Sequence, residues 1–187
     1  IKIIKVYRQL EKLNTSDIAK TEIQIRQFII SKIFEFGGSE SFEAIVAYGP
    51  NSAIPHHRAE TIIAEVLLID MALYNYCSDF SRTFWVKKSK TYSKFSKIHA
   101  IVQKAHDDAI AGIKLNTTAS VDKIARDSIQ QAGYGELFIH STGHVLDVHE
   151  VPVSPKSEHL IEKHMVFTVE PIYIPEFVRI EDIIIVS

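Results

Sequence analysis

Five residues of this chain have types and flanks that point to chemistry: Asp70, Asp79, His144, Glu170 and Glu181. Asp70 closes the apolar run Val66-Leu67-Leu68-Ile69, as a carboxylate does at the end of a buried strand, and Asp79 precedes Phe80-Ser81-Arg82-Thr83-Phe84. His144 ends Ser141-Thr142-Gly143-His144, Glu170 lies between Phe167-Thr168-Val169 and Pro171, and Glu181 sits in Val178-Arg179-Ile180-Glu181-Asp182. A single acid beside a strand is ordinarily a solvated loop residue. Here each adjoins an apolar run of β type, which places it inside the fold. Burying that many carboxylates without counter-charge is very costly. One such acid arises easily by chance; five with matching flanks do not. Four carboxylates and one imidazole make a donor set for two hard or borderline divalent cations, with room for bridging water.

The elements that must position these residues follow from periodicity. Ile3, Val6, Leu10 and Leu13 recur at helical spacing, so the first segment reads as an amphipathic helix. A second helix is expected over Ser16–Phe36, with Ile25, Phe28, Ile29 and Ile33 inward and Gly37-Gly38 as its stop. Strands are expected over Ala44–Tyr48, Ile62–Asp70, Ala72–Tyr76 and Phe80–Val86. Two more helices follow, Tyr92–Ile113 and Ser120–Ala132, with Thr118 or Ser120 as N-cap of the second. The chain returns to β structure at Val166–Glu170, Ile172–Ile174 and Val178–Val186. Helix pair, strands, helix pair, strands is an α+β order with two related halves.

Composition sets the outer bounds. The length suits one domain with a sizeable core. Hydrophobic residues make up 46% and the formal net charge is −2. Lys87, Lys88, Lys90, Lys94 and Lys97 form only a modest cluster, read as a solvated loop and helix face, so no nucleic-acid partner is expected. The longest apolar runs, such as Ile183-Ile184-Ile185-Val186, are too short for a bilayer, so no membrane partner is expected either. Ile1 is not a natural start, so a leader or further domain belongs among the expectations. The lone Cys77 excludes an internal disulfide framework and reads as a small buried filler; a cytoplasmic setting is expected. Tyr74 and Tyr76 read as packing residues between the two aspartates.

These segments, together with Ile45-Val46-Ala47-Tyr48-Gly49-Pro50-Asn51-Ser52-Ala53-Ile54-Pro55-His56-His57-Arg58 and Leu146-Asp147-Val148-His149-Glu150, resemble the pita-bread metallopeptidases. That group comprises methionine aminopeptidases, Xaa-Pro aminopeptidases and prolidases. The resemblance runs over nearly the whole chain, and the last two stretches are similar to the proline-specific branch. It implies a pseudo-twofold pita-bread fold and one catalytic domain over residues 1–187, the C-terminal part of a longer protein. It implies two divalent ions, Mn²⁺ first, with Co²⁺, Zn²⁺ or Fe²⁺ as alternatives. Asp70 would chelate one ion, Asp79 and Glu181 would bridge both, and His144 and Glu170 would complete the second. Glu170 would also move the proton. His56 and His149 would face the substrate carbonyl and the intermediate, and Arg179 would support a metal carboxylate. The implied substrate is a peptide with proline at the second position, cut by an Xaa-Pro aminopeptidase or dipeptidase; a homodimer is compatible with it.

The sequence departs from the family pattern in one consistent way. Asp70 and Asp79 are nine residues apart where the family has eleven, and His144-Val145-Leu146-Asp147 lacks two glycines. Glu170-Pro171 is followed by Ile172, and Phe177 precedes Val178, where the family has glycine. Restoring glycine after Met71 and Asn75, around Val145, and after Pro171 and Phe177 recovers the pattern. Glycine is scarce, at seven residues. Loss of one residue within a strand turns every later side chain to the other face, so the chain reads as a family sequence written without these glycines. Competing readings are methionine removal, a non-catalytic pita-bread protein that binds peptide, histone or RNA, and a creatinase-like hydrolase without metal. The complete set of five ligand types stands against the last two.

Overall fold

The computed structural model describes residues 4–6, 8–10, 20–74, 78–86, 90–113, 117–146, 151–173 and 178–187. They fall into two compact units, Ile1–Lys90 and Thr91–Ser187. Among the described residues no helix is long and apolar enough to cross a membrane.

In the first unit, residues 4–6 and 8–10 are helical, with Val6 and Leu10 buried. Helix α1 spans Glu22–Glu35. It starts later than Ser16 because Thr21 caps it. The Thr21 hydroxyl accepts from the Gln24 N–H, and the Gln24 side chain accepts from the Thr21 N–H, a reciprocal capping box. Gly37, at φ 70°, lets the chain turn off the helix end. Ile25, Ile29 and Ile33 form its buried stripe.

Strands β1 (Ile45–Tyr48), β2 (Val66–Leu73) and β3 (Ser78–Trp85) form an antiparallel sheet in that order. Alternation sorts the residues of β2. Leu67, Ile69, Met71 and Leu73 join the α1 core, while Leu68 packs with Ile45 and Ala47 in a separate cluster on the opposite face. Both faces are therefore covered, which is why β2 is apolar at every position but Asp70. Two expected strands, Ile62–Asp70 and Ala72–Tyr76, prove to be the single strand β2. Asp70 lies within its ladder rather than closing it. Tyr74 is a turn residue, 65% exposed, and not a packing residue. Tyr76 and Cys77 lie outside the described residues.

In the second unit, α2 (Tyr92–Ala111) and α3 (Thr118–Gln131) bury Val102, Ala105, Ala109, Val121, Ala125 and Ile129. Thr117, rather than Thr118 or Ser120, occupies the N-cap position of α3. A four-stranded antiparallel sheet has the order β5-β4-β6-β9, from Val151–Val153, Gly143–Val145, Val166–Val169 and Asp182–Ile185. Strands β7 (Ile172–Tyr173) and β8 (Val178–Arg179) form a separate pair. The single strand expected over Val178–Val186 is broken at Ile180-Glu181, between β8 and β9. The short strands β4 and β5 were not expected from periodicity; three residues hold too few alternations to register.

Candidate metal centre

Asp70 and Asp79 are brought together by strand register. Asp70 is paired with Ser81, and Ala72 with Asp79, so the two aspartates are diagonal neighbours on one face of the β2–β3 pair. That face is the one turned away from α1, and Asp70 is buried on it. The ladder continues unbroken through Met71–Ala72. A spacing shorter by two residues preserves the parity that keeps both aspartates on the same side.

In the second unit His144 lies on β4 and Glu170 directly follows β6. Their positions are fixed by two cross-strand bonds. The His144 N–H donates to the Thr168 hydroxyl at 3.0 Å, and the Glu170 N–H donates to the Thr142 carbonyl at 2.6 Å. Gly143 makes this approach achievable, because a Cβ there would sit 2.0 Å from the Thr168 carbonyl oxygen. His144 Nε2 then lies 4.0 Å from Glu170 Oε1, and Arg179 Nη1 lies 4.0 Å from Glu170 Oε2. Glu181, 2% exposed, brings a carboxylate oxygen within 4.8 Å of a His144 ring nitrogen. With metal–ligand distances of about 2.0–2.4 Å, a separation below 4.8 Å can be spanned by one ion. A buried carboxylate beside an imidazole is a donor pair suited to a divalent cation, so these residues fit the group expected of them.

A buried network holds this arrangement from behind. Asp122, fully buried on α3, accepts from Arg126 Nε at 2.6 Å and Nη2 at 3.2 Å. It also accepts from the Thr142 N–H at 3.0 Å and the Thr142 hydroxyl at 2.9 Å. Arg126 donates further to the Phe138 and His140 carbonyls at 2.8 and 2.5 Å. Burial pushes the His140 imidazole below its ordinary value; the Ser141 carbonyl opposes this, and the Arg179 and Arg126 charges add to it. None of Asp122, Arg126, Thr142 or His140 was singled out from sequence. The visible signal was an Asp and an Arg four apart on one helix face.

His56 is described and exposed, at a turn. His57, next to it in sequence, is buried and paired with the buried Glu22 at 2.8 Å. His149 lies outside the described residues.

Comparison with known proteins agrees with this chemistry. The model of metallopeptidase family M24 matches residues 3–187. The chain belongs to metallopeptidase family M24. A Mycoplasma genitalium protein, provisionally named an Xaa-Pro aminopeptidase, is 41% identical over 183 residues, 89% of this chain and 51% of the relative. The Xaa-Pro dipeptidase of Pyrococcus furiosus is 39% identical over 172 residues, 84% of this chain and 49% of the relative. Among solved structures, Thermococcus sibiricus prolidase superposes with a TM-score of 0.89 at 35% identity, over 99% of this chain and 53% of that one. The Caenorhabditis elegans X-prolyl aminopeptidase, titled a cytosolic enzyme with a di-nuclear active site, gives 0.79 at 25% identity, over 97% and 33%. The fold class is therefore the α+β pita-bread fold of the prolidases. The chain spans about half the length of the curated relatives it matches. Family M24 enzymes are metallopeptidases, which work with divalent metal ions.

Proposed function

We propose that this chain is the catalytic part of a dinuclear metallopeptidase that hydrolyses the Xaa-Pro bond at a peptide N-terminus. As the family resemblance implies, Asp70, Asp79, His144, Glu170 and Glu181 would hold two divalent ions, with Mn²⁺ the first choice for a mainly carboxylate set. The observation that carries the reading is the buried Glu181 carboxylate within reach of His144, beside Glu170. The shared face of Asp70 and Asp79 supports it.

Divalent ions in such a set supply a lowered water pKa and positive charge opposite a polarised peptide carbonyl. The protein's own groups do the rest. Glu170 receives the proton of the attacking water and delivers it to the leaving amine. Arg179, 4.0 Å from Glu170 Oε2, places its charge where it orients that carboxylate. His56 and His149 donate to the substrate carbonyl as charge develops on oxygen. A bond before proline carries no N–H, so a site that demands no hydrogen bond there accepts it. Its likeness to the Xaa-Pro aminopeptidase and dipeptidase relatives supports this substrate class, and its likeness to the cytosolic Caenorhabditis elegans enzyme supports a cytoplasmic setting.

Metal stoichiometry tests the site. Mn²⁺ titration of the whole protein should give two ions per chain, falling in Glu181→Gln. A parent that binds one ion or none would reject the ligand set.

A further inference from the structure

Glu22 is the first residue of α1, where an acid ordinarily faces water and complements the helix dipole. Here it is fully buried. Its Oε1 accepts from the Tyr48 N–H at 2.6 Å and Asn51 Nδ2 at 3.1 Å. Its Oε2 accepts from the Glu60 N–H at 2.7 Å and His57 Nε2–H at 2.8 Å. All four donors belong to the single segment 48–60, at its start, its middle and its end. A carboxylate removed from water needs such donors, and its preference for them is strong. The segment is also tied internally. The Ser52 hydroxyl donates to the Gly49 carbonyl at 2.6 Å, and the His57 N–H donates to the Ile54 carbonyl at 3.1 Å. His57, with 5% of its side chain exposed, is drawn inward, while its neighbour His56 stands exposed on the same turn.

We propose that Glu22 and His57 are positioning residues: by clamping the 48–60 segment they fix the backbone from which His56 reaches the substrate. The inference rests on the role assigned to His56 above. A clamp of this kind acts on turnover through placement, since a displacement near 1 Å costs up to about a hundredfold in rate.

A mutant cycle in the whole, metal-loaded protein tests this, with an Xaa-Pro peptide as probe. His57→Leu removes the donor, and His57→Gln keeps an amide N–H at similar reach. His57→Leu should lower kcat at least about tenfold while KM moves less than about threefold. His57→Gln should recover kcat to within about threefold of the parent, and His57→Leu should add less than about twofold once His56 is alanine. His57→Asn, whose amide falls short of Glu22, replaces the Leu variant should that one not fold. Equal losses in the two His57 variants, or an undiminished loss in the His56→Ala background, would overturn the inference. Hydrogen exchange at the Tyr48 and Glu60 amides separates the two levels. Both should be protected in the parent and exchange faster in Glu22→Gln. A parent that protects them yet cleaves no peptide sinks the peptidase reading, whereas a parent that cleaves with an additive cycle sinks only the clamp.

Discussion

Asp122→Asn is the perturbation that reaches the candidate metal centre without altering any of its ligands. The amide keeps the shape and leaves Oδ1 able to accept from the Thr142 N–H and hydroxyl, which lie 3.0 and 2.9 Å away. What goes is the charge facing Arg126 Nε at 2.6 Å. Removing one partner of a dry ion pair costs about 3–5 kcal/mol. The Arg126 side chain is 30% exposed and retains the Phe138 and His140 carbonyls, so part of its charge stays solvated. That discount brings the expected loss to about 2–3 kcal/mol. For a chain of this length it corresponds to a melting temperature lower by about 5–10 °C. The Thr142 carbonyl accepts the Glu170 N–H, so turnover should fall as well, in kcat more than in KM. Thermal unfolding and steady-state kinetics on the purified variant read both effects. A melting temperature within about 1 °C of the parent would refute the assignment of Asp122 as the anchor of this unit.

Two further outcomes follow from the same geometry. Glu170→Gln should abolish turnover with little change in melting temperature, because it removes both a ligand charge and the proton carrier; near-normal kcat in the metal-loaded variant would reject that role. His140 should make stability acid-sensitive. Its folded value is depressed, so the unfolded chain takes up the proton first as pH falls. The stability it contributes is intact above about 6.5 and is lost as pH falls from there toward the folded value. Urea midpoints at pH 7.5 and 5.5 should converge in His140→Gln relative to the parent; an unchanged difference would contradict the buried neutral imidazole.

Much of the candidate site was legible because a metal-ligand set would need particular residue types at strand positions. Five such residues with apolar flanks stand out even where strand limits do not. The strand limits themselves failed for a physical reason. β2 is covered on both faces, so its alternation vanishes, and Asp70 looks like a strand end when it is a mid-ladder residue. Glu22 and His57 were invisible for the opposite reason. A glutamate at a helix start and the second histidine of a turn have ordinary exposed roles, and only the packed chain brings their donors and acceptors into one buried cluster. Thr21 and Gln24 could have been read, since their three-residue spacing is a capping signature that places the helix start at Glu22. The break at Ile180-Glu181 carried no such mark, because apolar residues run on through β9.

Dinuclear hydrolysis of an Xaa-Pro bond stands or falls on one ratio. In the whole protein loaded with Mn²⁺, kcat/KM is measured for an Xaa-Pro peptide and for a matched Met-Ala peptide. The Xaa-Pro peptide should be strongly preferred, with release of the first residue. Preference for the Met-Ala peptide would contradict the substrate assignment while leaving the metallopeptidase chemistry standing, and cleavage of neither would contradict both.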